Sequence, residues 1–321
     1  MEKLLCGVDL GGTKLSVGLF SRQGEPVDKL ETRNHAEKDS DGITSEVVRF
    51  IKELLSSNKM TDADLFGIGI GVAAHIRFEE GLVITSSNFK CHFKNYPMGK
   101  KIQSHFNVPV VLDNDANAQA YGEFLFGAGV GRRDVVFVTV STGIGAGIII
   151  DGKLRRGVTG TAGEVGHTIV KYDSEQVCTC GNSGCLMALS SGLFFPSLYR
   201  SKLEGGKKSL MGITAANVSA VDGPLILEGL RQGDEISVEI FHESARIVGI
   251  GLYNLFQILN PEAVILGGGL MSLGPSYLEE IRKTFYLLVR DMMYDRMEIL
   301  PAKLGIDSGL VGASALPLEQ R

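Results

Sequence analysis

The sequence predicts an α/β protein made of two similar halves, and three observations support that prediction. The chain has 321 residues, enough for about two domains of ordinary size. Short apolar runs typical of buried strands alternate with segments whose apolar residues repeat at helical spacing. Each half begins with two strand-like runs joined by a turn rich in glycine and threonine, at Asp9–Thr13 and at Thr139–Gly145.

The apolar spacing predicts the elements of each half in order. The first half has predicted strands at 3–9, 15–20, 27–33, 65–72 and 108–113, and predicted helices at 41–58, about 98–106 and 116–126. The second half has predicted strands at 134–140, 147–151 and 263–266, and predicted helices at 185–200 and 234–259. The long helix should end before Asn260-Pro261, because the residue before a proline is disfavoured in helical conformation. The expected domains are a small lobe of residues 1–115, completed by a helix at about 305–321, and a large lobe of residues 116–304.

Composition excludes several classes of function. Lys and Arg number 32 against 37 Asp and Glu, a net charge of -5, so a nucleic-acid partner held mainly by its phosphates is disfavoured. The N-terminus has no apolar run long enough for a signal peptide, and no stretch of about 18 apolar residues occurs, so no membrane span is expected. Five cysteines, an odd number, favour a reducing compartment. The expectation is a cytoplasmic protein.

The first turn, Asp9-Leu10-Gly11-Gly12-Thr13-Lys14, has the composition of a phosphate-binding hairpin. Glycines let backbone N–H groups approach phosphate oxygens closely, Thr13 adds a hydroxyl donor, and Asp9 offers a carboxylate suited to Mg²⁺. An ordinary β-hairpin is the alternative, because Gly-Gly alone is common.

The second turn is Ser141-Thr142-Gly143-Ile144-Gly145-Ala146-Gly147. A dinucleotide-binding fold needs a helix straight after such glycines, whereas Gly147–Ile150 is strand-like. Dinucleotide binding is therefore disfavoured, and two similar hairpins in two halves favour a nucleotide site.

Asp113-Asn114-Asp115-Ala116-Asn117-Ala118 lies between a predicted strand and a predicted helix. A carboxylate at a strand end is well placed as a general base. Asp113 or Asn114 could instead only cap the helix. The two roles are compatible, because one residue can cap while its neighbour reacts.

His167 precedes three cysteines, Cys178, Cys180 and Cys185, spaced C-x-C-x4-C. Together they make a four-ligand Cys3His set of the kind that binds structural zinc. A disulfide is the alternative, but a C-x-C pair closes poorly and the expected compartment is reducing. Cys6 and Cys91 are expected to be small buried hydrophobes.

These motifs together resemble the ROK family of sugar kinases, which includes glucokinases and N-acetylmannosamine kinases. The resemblance is supported by the strings Asp9–Lys14, Asp113–Ala118, Ser141–Gly147, Gly163–His167, Cys178–Cys185 and Val264–Gly269, in the family's order. It implies the actin/hexokinase-like ATPase fold, two ribonuclease-H-like lobes around a cleft. It also implies ATP and Mg²⁺ as cofactors, a structural Zn²⁺, a hexose or amino sugar as acceptor, and a homodimer or homotetramer.

The resemblance assigns roles residue by residue. Asp115 matches the family's catalytic base, which takes the proton of a sugar hydroxyl, usually at C6. The positions that match sugar-binding residues are Asn88, Asn114, Glu164 and His167. The positions that match the nucleotide site are Asp9, Gly11, Gly12, Thr13, Lys14, Ser141, Thr142, Gly143, Gly268 and Gly269.

Two departures from the family pattern bear on substrate choice. Met187 stands where the family usually has a glutamate that binds sugar hydroxyls, and Ala73-Ala74 stands where Pro-Gly is usual. Methionine barely accepts hydrogen bonds, so we expect the acceptor sugar to differ from ordinary glucose. Met187 could alternatively be core packing on a helix. A catalytically silent sugar sensor and a DNA-binding repressor of the same family are the competing functions. The short segment before Asp9 and the negative net charge disfavour the repressor.

Overall fold

A computed structural model describes residues 2–33, 38–86, 89–91, 93–290 and 297–319 of the chain. The strands in this part of the chain are β1 (Leu4–Leu10), β2 (Leu15–Phe20), β3 (Pro26–Thr32), β4 (Leu65–Val72), β5 (His75–Arg77), β6 (Leu82–Thr85), β7 (Val110–Asn114), β8 (Val135–Val140), β9 (Ile144–Ile150), β10 (Lys153–Leu154), β11 (Ala263–Gly267) and β12 (Glu298–Pro301). The α-helices are α1 (Ser40–Ser57), α2 (Met98–Gln103), α3 (Asp115–Phe126), α4 (Leu186–Ser190), α5 (Phe195–Glu204), α6 (Gly223–Gln232), α7 (Glu235–Leu259), α8 (Pro275–Val289) and α9 (Ser308–Ala315).

The first sheet has the strand order β3-β2-β1-β4-β7. β2 runs antiparallel to both β1 and β3, and β4 and β7 run parallel to β1. β2 and β4 are buried along their whole length, which explains why they appear in the sequence as continuous apolar runs. They have the bounds predicted from those runs, 15–20 and 65–72.

The second sheet repeats this pattern in the order β10-β9-β8-β11-β12, with β9 antiparallel to β10 and β11 parallel to β12. In each sheet a three-stranded antiparallel segment is followed by two further strands, so the predicted duplication is confirmed. β9 begins at Ile144 rather than at the predicted residue 147, because the glycines and alanine of 145–147 are part of the strand. A separate hairpin is formed by β5 and β6.

The helix predicted over 185–200 is wrong as a continuous element. α4 ends at Ser190, a 3-10 turn follows at Gly192–Phe194, and α5 begins at Phe195. Pro196 is tolerated in the first turn of α5, but in a continuous helix its ring would clash with the carbonyl four residues earlier. The N–H of Gly192 instead donates to the carbonyl of Ser141 at 2.9 Å.

The chain forms two compact units, one of residues Met1–Phe137, Gly147–Gly163 and Ala302–Arg321, the other of Val138–Ala146 and Glu164–Pro301. The domain boundary predicted after residue 115 remains a prediction. The helix predicted at about 305–321 is α9, which ends at Ala315 and is followed by a 3-10 turn, Leu316–Leu318. Among the described residues, no helix combines the length and the apolar composition that crossing a membrane requires.

In the first unit, α9 packs directly against the backbone of the sheet. A Cβ on Gly7 of β1 would collide with the carbonyl of Leu310, and one on Gly69 of β4 would collide with the carbonyl of Ala313. Because side chains alternate along a strand, the residues next to Gly7 face the other way, where Cys6 and Val8 join the core formed with α1. Because these two positions have no side chain, α9 packs closer to the sheet than it could if any other residue stood there.

In the second unit, buried polar groups connect the helices. Asp234, fully buried, caps α7 by accepting the N–H of Ser237 at 2.8 Å and also accepts the Tyr199 hydroxyl at 2.9 Å. The Ser244 hydroxyl of α7 donates to the carbonyl of Ser190 at 2.8 Å and lies 2.6 Å from the Tyr277 hydroxyl of α8. Since buried polar groups without partners are costly, these bonds fix α4, α7 and α8 in one arrangement.

Candidate active site

Asp9 lies near the carboxyl end of β1, on the face of the sheet that α9 covers. A Cβ on Gly309, in the first turn of α9, would lie 2.9 Å from the Asp9 Oδ2 atom, so the carboxylate occupies the space beside this helix start. Burial raises the pKa of Asp9 to about 6, and the nearby Lys14 opposes that rise.

The turn from β1 to β2 contains Gly11, Gly12, Thr13 and Lys14. The N–H of Gly11 donates to the carbonyl of Lys14 at 2.9 Å, which closes the turn. The Lys14 ammonium lies 2.7 Å from Glu31 Oε1 on β3. Thr13 is exposed at the tip, so its hydroxyl is accessible to a ligand.

Asp113, Asn114 and Asp115 lie at the same edge of the sheet as Asp9. In the strand register Gly71 of β4 pairs with Asp9 on one side and with Asp113 on the other. Two strand spacings, about 10 Å, therefore separate the backbone at Asp9 from that at Asp113. The two carboxylate-bearing motifs found separately in the sequence are thus brought together within the first unit.

Asn114 is the N-cap of α3, and Asp115 is the first residue of that helix. The Asn114 Oδ1 atom accepts the N–H of Ala116 at 2.8 Å, and its Nδ2 donates to the carbonyl of Ala74 at 3.0 Å. The neighbouring Asp113 is almost fully buried, and burial raises its pKa although Arg156 lies beside it. Asn114 therefore caps α3, and the half-buried Asp115 also accepts the N–H of Ala116, at 3.0 Å through its Oδ1 atom.

In the second unit, the predicted nucleotide residues form one cluster. The N–H of Ser141 donates to the carbonyl of Gly143 at 2.9 Å, and the carbonyls of Ser141 and Thr142 accept the N–H groups of residues 192 and 193. Gly268, with φ of +93°, comes so close to this hairpin that a Cβ would lie 2.7 Å from the Val140 nitrogen. A Cβ on Gly269 would lie 3.2 Å from Ser141 Oγ. Ser141–Gly143 and Gly268-Gly269 therefore line one surface.

Glu164 directly precedes a short 3-10 turn of the second unit, and His167 is the last residue of that turn. The Nε2 atom of His167 is 3.8 Å from Glu164 Oε2, and both side chains are about one-third exposed, at 33% and 38%. The other ring nitrogen, Nδ1, is 3.5 Å from Cys178 Sγ. His167 thus has one nitrogen toward the cysteines and the other toward Glu164. Asn88, predicted beside these residues, lies outside the described part of the chain.

The four predicted metal ligands, His167, Cys178, Cys180 and Cys185, are close together. Their ligand atoms all lie within 4.8 Å of one another, and the three cysteines are free thiols. Cys180 Sγ and Cys185 Sγ are 3.6 Å apart. Tetrahedral zinc requires about 3.8 Å between two sulfur ligands and about 3.5 Å between sulfur and nitrogen, so the donor set fits that ion.

Met187 lies in the second unit, on α4, directly after the cysteine loop. It is buried, with 8% of its surface exposed, and its sulfur lies 3.5 Å from the place a Cβ on Gly143 would occupy. The position at which the family usually has a sugar-binding glutamate thus faces the hairpin of Ser141–Gly143.

Two residues of the first unit that contact predicted site residues or their neighbours were not recognised from the sequence. Gly309 lies beside Asp9, and Arg156 pairs with Asp113 at 2.7 Å. The small residues of 308–315 were a signal for the close helix packing, whereas no local pattern marks Arg156.

The chain is similar to known proteins over nearly its whole length. A model of the ROK family matches residues 5–320. A glucokinase of Streptomyces coelicolor is 33% identical over 322 residues, which cover 98% of this chain and 98% of that protein. A xylose repressor of Caldicellulosiruptor bescii is 34% identical over 279 residues, 87% of this chain and 69% of the repressor. The crystal structure of a ROK family glucokinase from Streptomyces griseus with glucose and AMPPNP is 34% identical, covers 98% of both chains and has a TM-score of 0.79.

Asp9→Asn should stabilise the metal-free protein at neutral pH. With a pKa raised from 3.8 to about 6, native Asp9 binds a proton between about pH 4 and 6 that the unfolded chain has released. Its contribution to stability is therefore favourable at low pH and is lost as pH rises through this window. At pH 7.5 urea unfolding should give the variant up to about 3 kcal/mol more stability than the wild type.

The difference between Asp9→Asn and the wild type should disappear below about pH 3, where Asp9 is protonated in both the folded and the unfolded chain. Asp151→Asn is the matched control, because Asp151 is exposed and pairs with Arg133 on the surface. Equal stability of Asp9→Asn and wild type at pH 7.5 would contradict the expected cost of burying this carboxylate.

Proposed function

The chain belongs to the ROK family, and we propose that this ATP-dependent sugar kinase transfers the γ-phosphoryl group of ATP to a hexose or amino-sugar hydroxyl, at C6, with Asp115 as general base. The observation that supports this proposal most is the placement of Asp9 and Asp115 at one edge of the first sheet. One carboxylate suits a metal and the other suits a hydroxyl proton, and phosphoryl transfer needs both functions close together.

The residues present fit Mg²⁺ and ATP. Asp9 is a carboxylate whose burial is unfavourable without a cation, since its pKa is raised to about 6. The Gly268-Gly269 turn and the Ser141–Gly143 hairpin approach each other closely enough that side chains would fill the space between them. Mg²⁺ and ATP, when bound, supply the phosphoryl group and neutralise its charge. The glycine turns would present backbone N–H groups to the phosphates.

On the sugar side, Asp115 would accept the proton of the attacking hydroxyl. Glu164, as a carboxylate, would accept hydrogen bonds from other sugar hydroxyls. His167 would donate from Nε2, because a metal on Nδ1 leaves the proton on the other nitrogen. Asn88 and Asn114 are the other two residues that the family resemblance assigns to sugar binding.

We further propose a structural zinc ion held by His167, Cys178, Cys180 and Cys185. Such a closed set of four ligands would connect the loop of residues 178–185 to the His167 ring. The loop requires glycine at position 184, because φ there is +74° and a Cβ would collide with the carbonyl of Lys171. The zinc would thereby orient the ring that faces the sugar.

Cys180→Ser should lose the metal. Wild-type protein purified without chelator should contain about one zinc per chain, and the variant close to none, by elemental analysis after dialysis. Cys180 is exposed, so the substitution opens no cavity. Cys91→Ser, at a cysteine of the first unit, is the control and should retain zinc. Full zinc content in Cys180→Ser would refute the proposed site.

The kinase proposal is tested by sugar-dependent ADP release from Mg-ATP across hexoses, amino sugars and N-acetylated sugars. Asp115→Asn should lower kcat by at least about 100-fold, because the amide cannot accept the proton. ATP binding, measured by calorimetry, should be unchanged. Asp151→Asn, an exposed aspartate of the same unit, should have wild-type activity. Sugar-dependent turnover that survives in Asp115→Asn would contradict the role of this residue.

Met187→Glu should improve glucose as a substrate if Met187 explains a shift in specificity. A regained acceptor for a buried sugar hydroxyl is worth roughly 1–3 kcal/mol, so kcat/KM for glucose should rise by about 5- to 160-fold. Met187→Leu, which keeps an apolar side chain, should leave kcat/KM nearly unchanged. No gain with glutamate would favour the interpretation of Met187 as core packing.

A repressor is the second candidate, because the chain is 34% identical to a xylose repressor and spans 69% of it. The kinase proposal expects no shift of labelled DNA at low salt, where phosphate contacts are strongest. A silent sugar sensor would bind sugar and ATP and release no ADP with any sugar of the panel.

A further inference from the structure

A charged network in the first unit connects the C-terminal segment to the start of α3. We call Asp113, Arg156 and Glu319 the Arg156 network. The Arg156 Nε atom donates to Asp113 Oδ2 at 2.7 Å, its Nη1 donates to Glu319 Oε1 at 3.2 Å, and its Nη2 donates to Glu319 Oε2. Only 14% of the Arg156 and Glu319 side chains and 2% of Asp113 are exposed.

The surroundings of Arg156 make it a structural group rather than a ligand for phosphate. Three of its nitrogens donate to carboxylates, and its guanidinium carbon lies 3.7 Å from the centre of the Phe78 ring. Glu319 Oε1 also accepts the N–H of Leu154 at 3.1 Å. A planar guanidinium between two carboxylates and an aromatic face has its orientation fixed from several sides.

The network acts on the residues either side of Asp115. While Asp113 Oδ2 is held by Arg156, Asp113 Oδ1 accepts the N–H of Asn114 at 2.7 Å and the Nδ2 of Asn117 at 2.9 Å. Asn114 precedes Asp115 and Asn117 follows it within the first turn of α3. A rotation of the Asp113 carboxylate would therefore break its hydrogen bonds to both Asn114 and Asn117.

Arg156 also closes the loop that leads to Glu164. Its carbonyl accepts the N–H of Ala162 at 3.0 Å. Within this loop Gly160 lies so close to Ile76 that a Cβ would collide with the Ile76 carbonyl. The same residue therefore orders the chain before two proposed site residues, Asp115 and Glu164.

We propose that Arg156, held by Glu319, is a positioning residue for Asp115 and acts through Asp113. The proposal rests on the proposed kinase function, because it is that function which makes Asp115 the reacting group. Misplacement of a catalytic group by about 1 Å can lower the rate by about 100-fold. The network therefore makes kcat, rather than nucleotide affinity, depend on a residue close to the end of the chain.

The test uses the full-length protein with Arg156→Gln, Glu319→Gln and the control Arg155→Gln. Arg155 is 47% exposed and contacts Asp151 and the carbonyl of Ile150. We expect kcat to fall about 10- to 100-fold in Arg156→Gln and by a smaller factor in Glu319→Gln. KM for ATP should stay within about twofold of the wild type, and Arg155→Gln should match the wild type, since it touches neither carboxylate.

Amide hydrogen exchange provides a readout independent of catalysis. In Arg156→Gln and Glu319→Gln the amides of residues 114–117 should exchange faster, while those of α8 in the second unit should not change. Rescue offers a second check. Millimolar guanidinium should restore part of kcat in Arg156→Ala, and it should do nothing in the double variant Arg156→Ala/Asp113→Asn. Glu319→Gln keeps the test valid if substitutions at Arg156 prevent folding.

The outcomes separate this proposal from the proposed function. Wild-type kcat in Arg156→Gln and Glu319→Gln, or unchanged exchange at 114–117, would overturn the positioning role while leaving the kinase intact. Equally faster exchange in α8 would also overturn it, because the effect would then be global destabilisation. A wild-type protein inactive with every sugar would refute the function and with it the role of Asp115. The exchange data would then decide by themselves whether Arg156 orders the start of α3.

Discussion

The close contact between α9 and the first sheet is the constraint on which the proposed catalytic edge depends. Gly7 and Gly69 let the backbone of α9 touch the backbone of β1 and β4. On α3, Gly122 approaches Gly312 of α9 so closely that a Cβ would lie 2.6 Å from the Gly312 Cα. The helix that begins with Asp115 and the strand that carries Asp9 are thus both packed against α9. A larger side chain at any of these contacts would move one of the two carboxylates.

A second constraint is the strand register. Gly71 lies between Asp9 and Asp113 in the sheet, and a Cβ there would come within 3.1 Å of the Ala118 Cβ on α3. The absence of a side chain at this central position lets α3 start directly above the edge of the sheet. The proximity of Asp9, the proposed metal ligand, to Asp115, the proposed base, is therefore produced by packing, and it does not require the two residues to be near each other in sequence.

Much of the fold could be predicted from the sequence, because the relevant information is local. Buried strands such as β2 and β4 appear as uninterrupted apolar runs, and both glycine-threonine hairpins stand out by composition. The break between α4 and α5 was not predicted, although Pro196 in the sequence indicates that a helix starts there. The proposed zinc ligands were recognisable because Cys178, Cys180 and Cys185 are close in the chain. Arg156 and Glu319 could not be found in this way, because Arg156 is 43 residues from its partner Asp113 and 163 residues from its partner Glu319. Ordinary surface charges look the same in a sequence.

The discontinuity of the first unit also has a consequence for how the chain acquires its structure during synthesis. Its residues come from the beginning, the middle and the end of the chain, whereas nearly all of the second unit is the continuous stretch Glu164–Pro301. The strands that carry Gly7 and Gly69 leave the ribosome long before residues 308–315, which cover them. The second unit can therefore complete its core while the first still exposes an apolar sheet face, and domains synthesised first are usually those that fold first. Although the first unit is begun first, it cannot complete its core before α9 is made, so its early sheet face stays uncovered until nearly all of the second unit has also been synthesised.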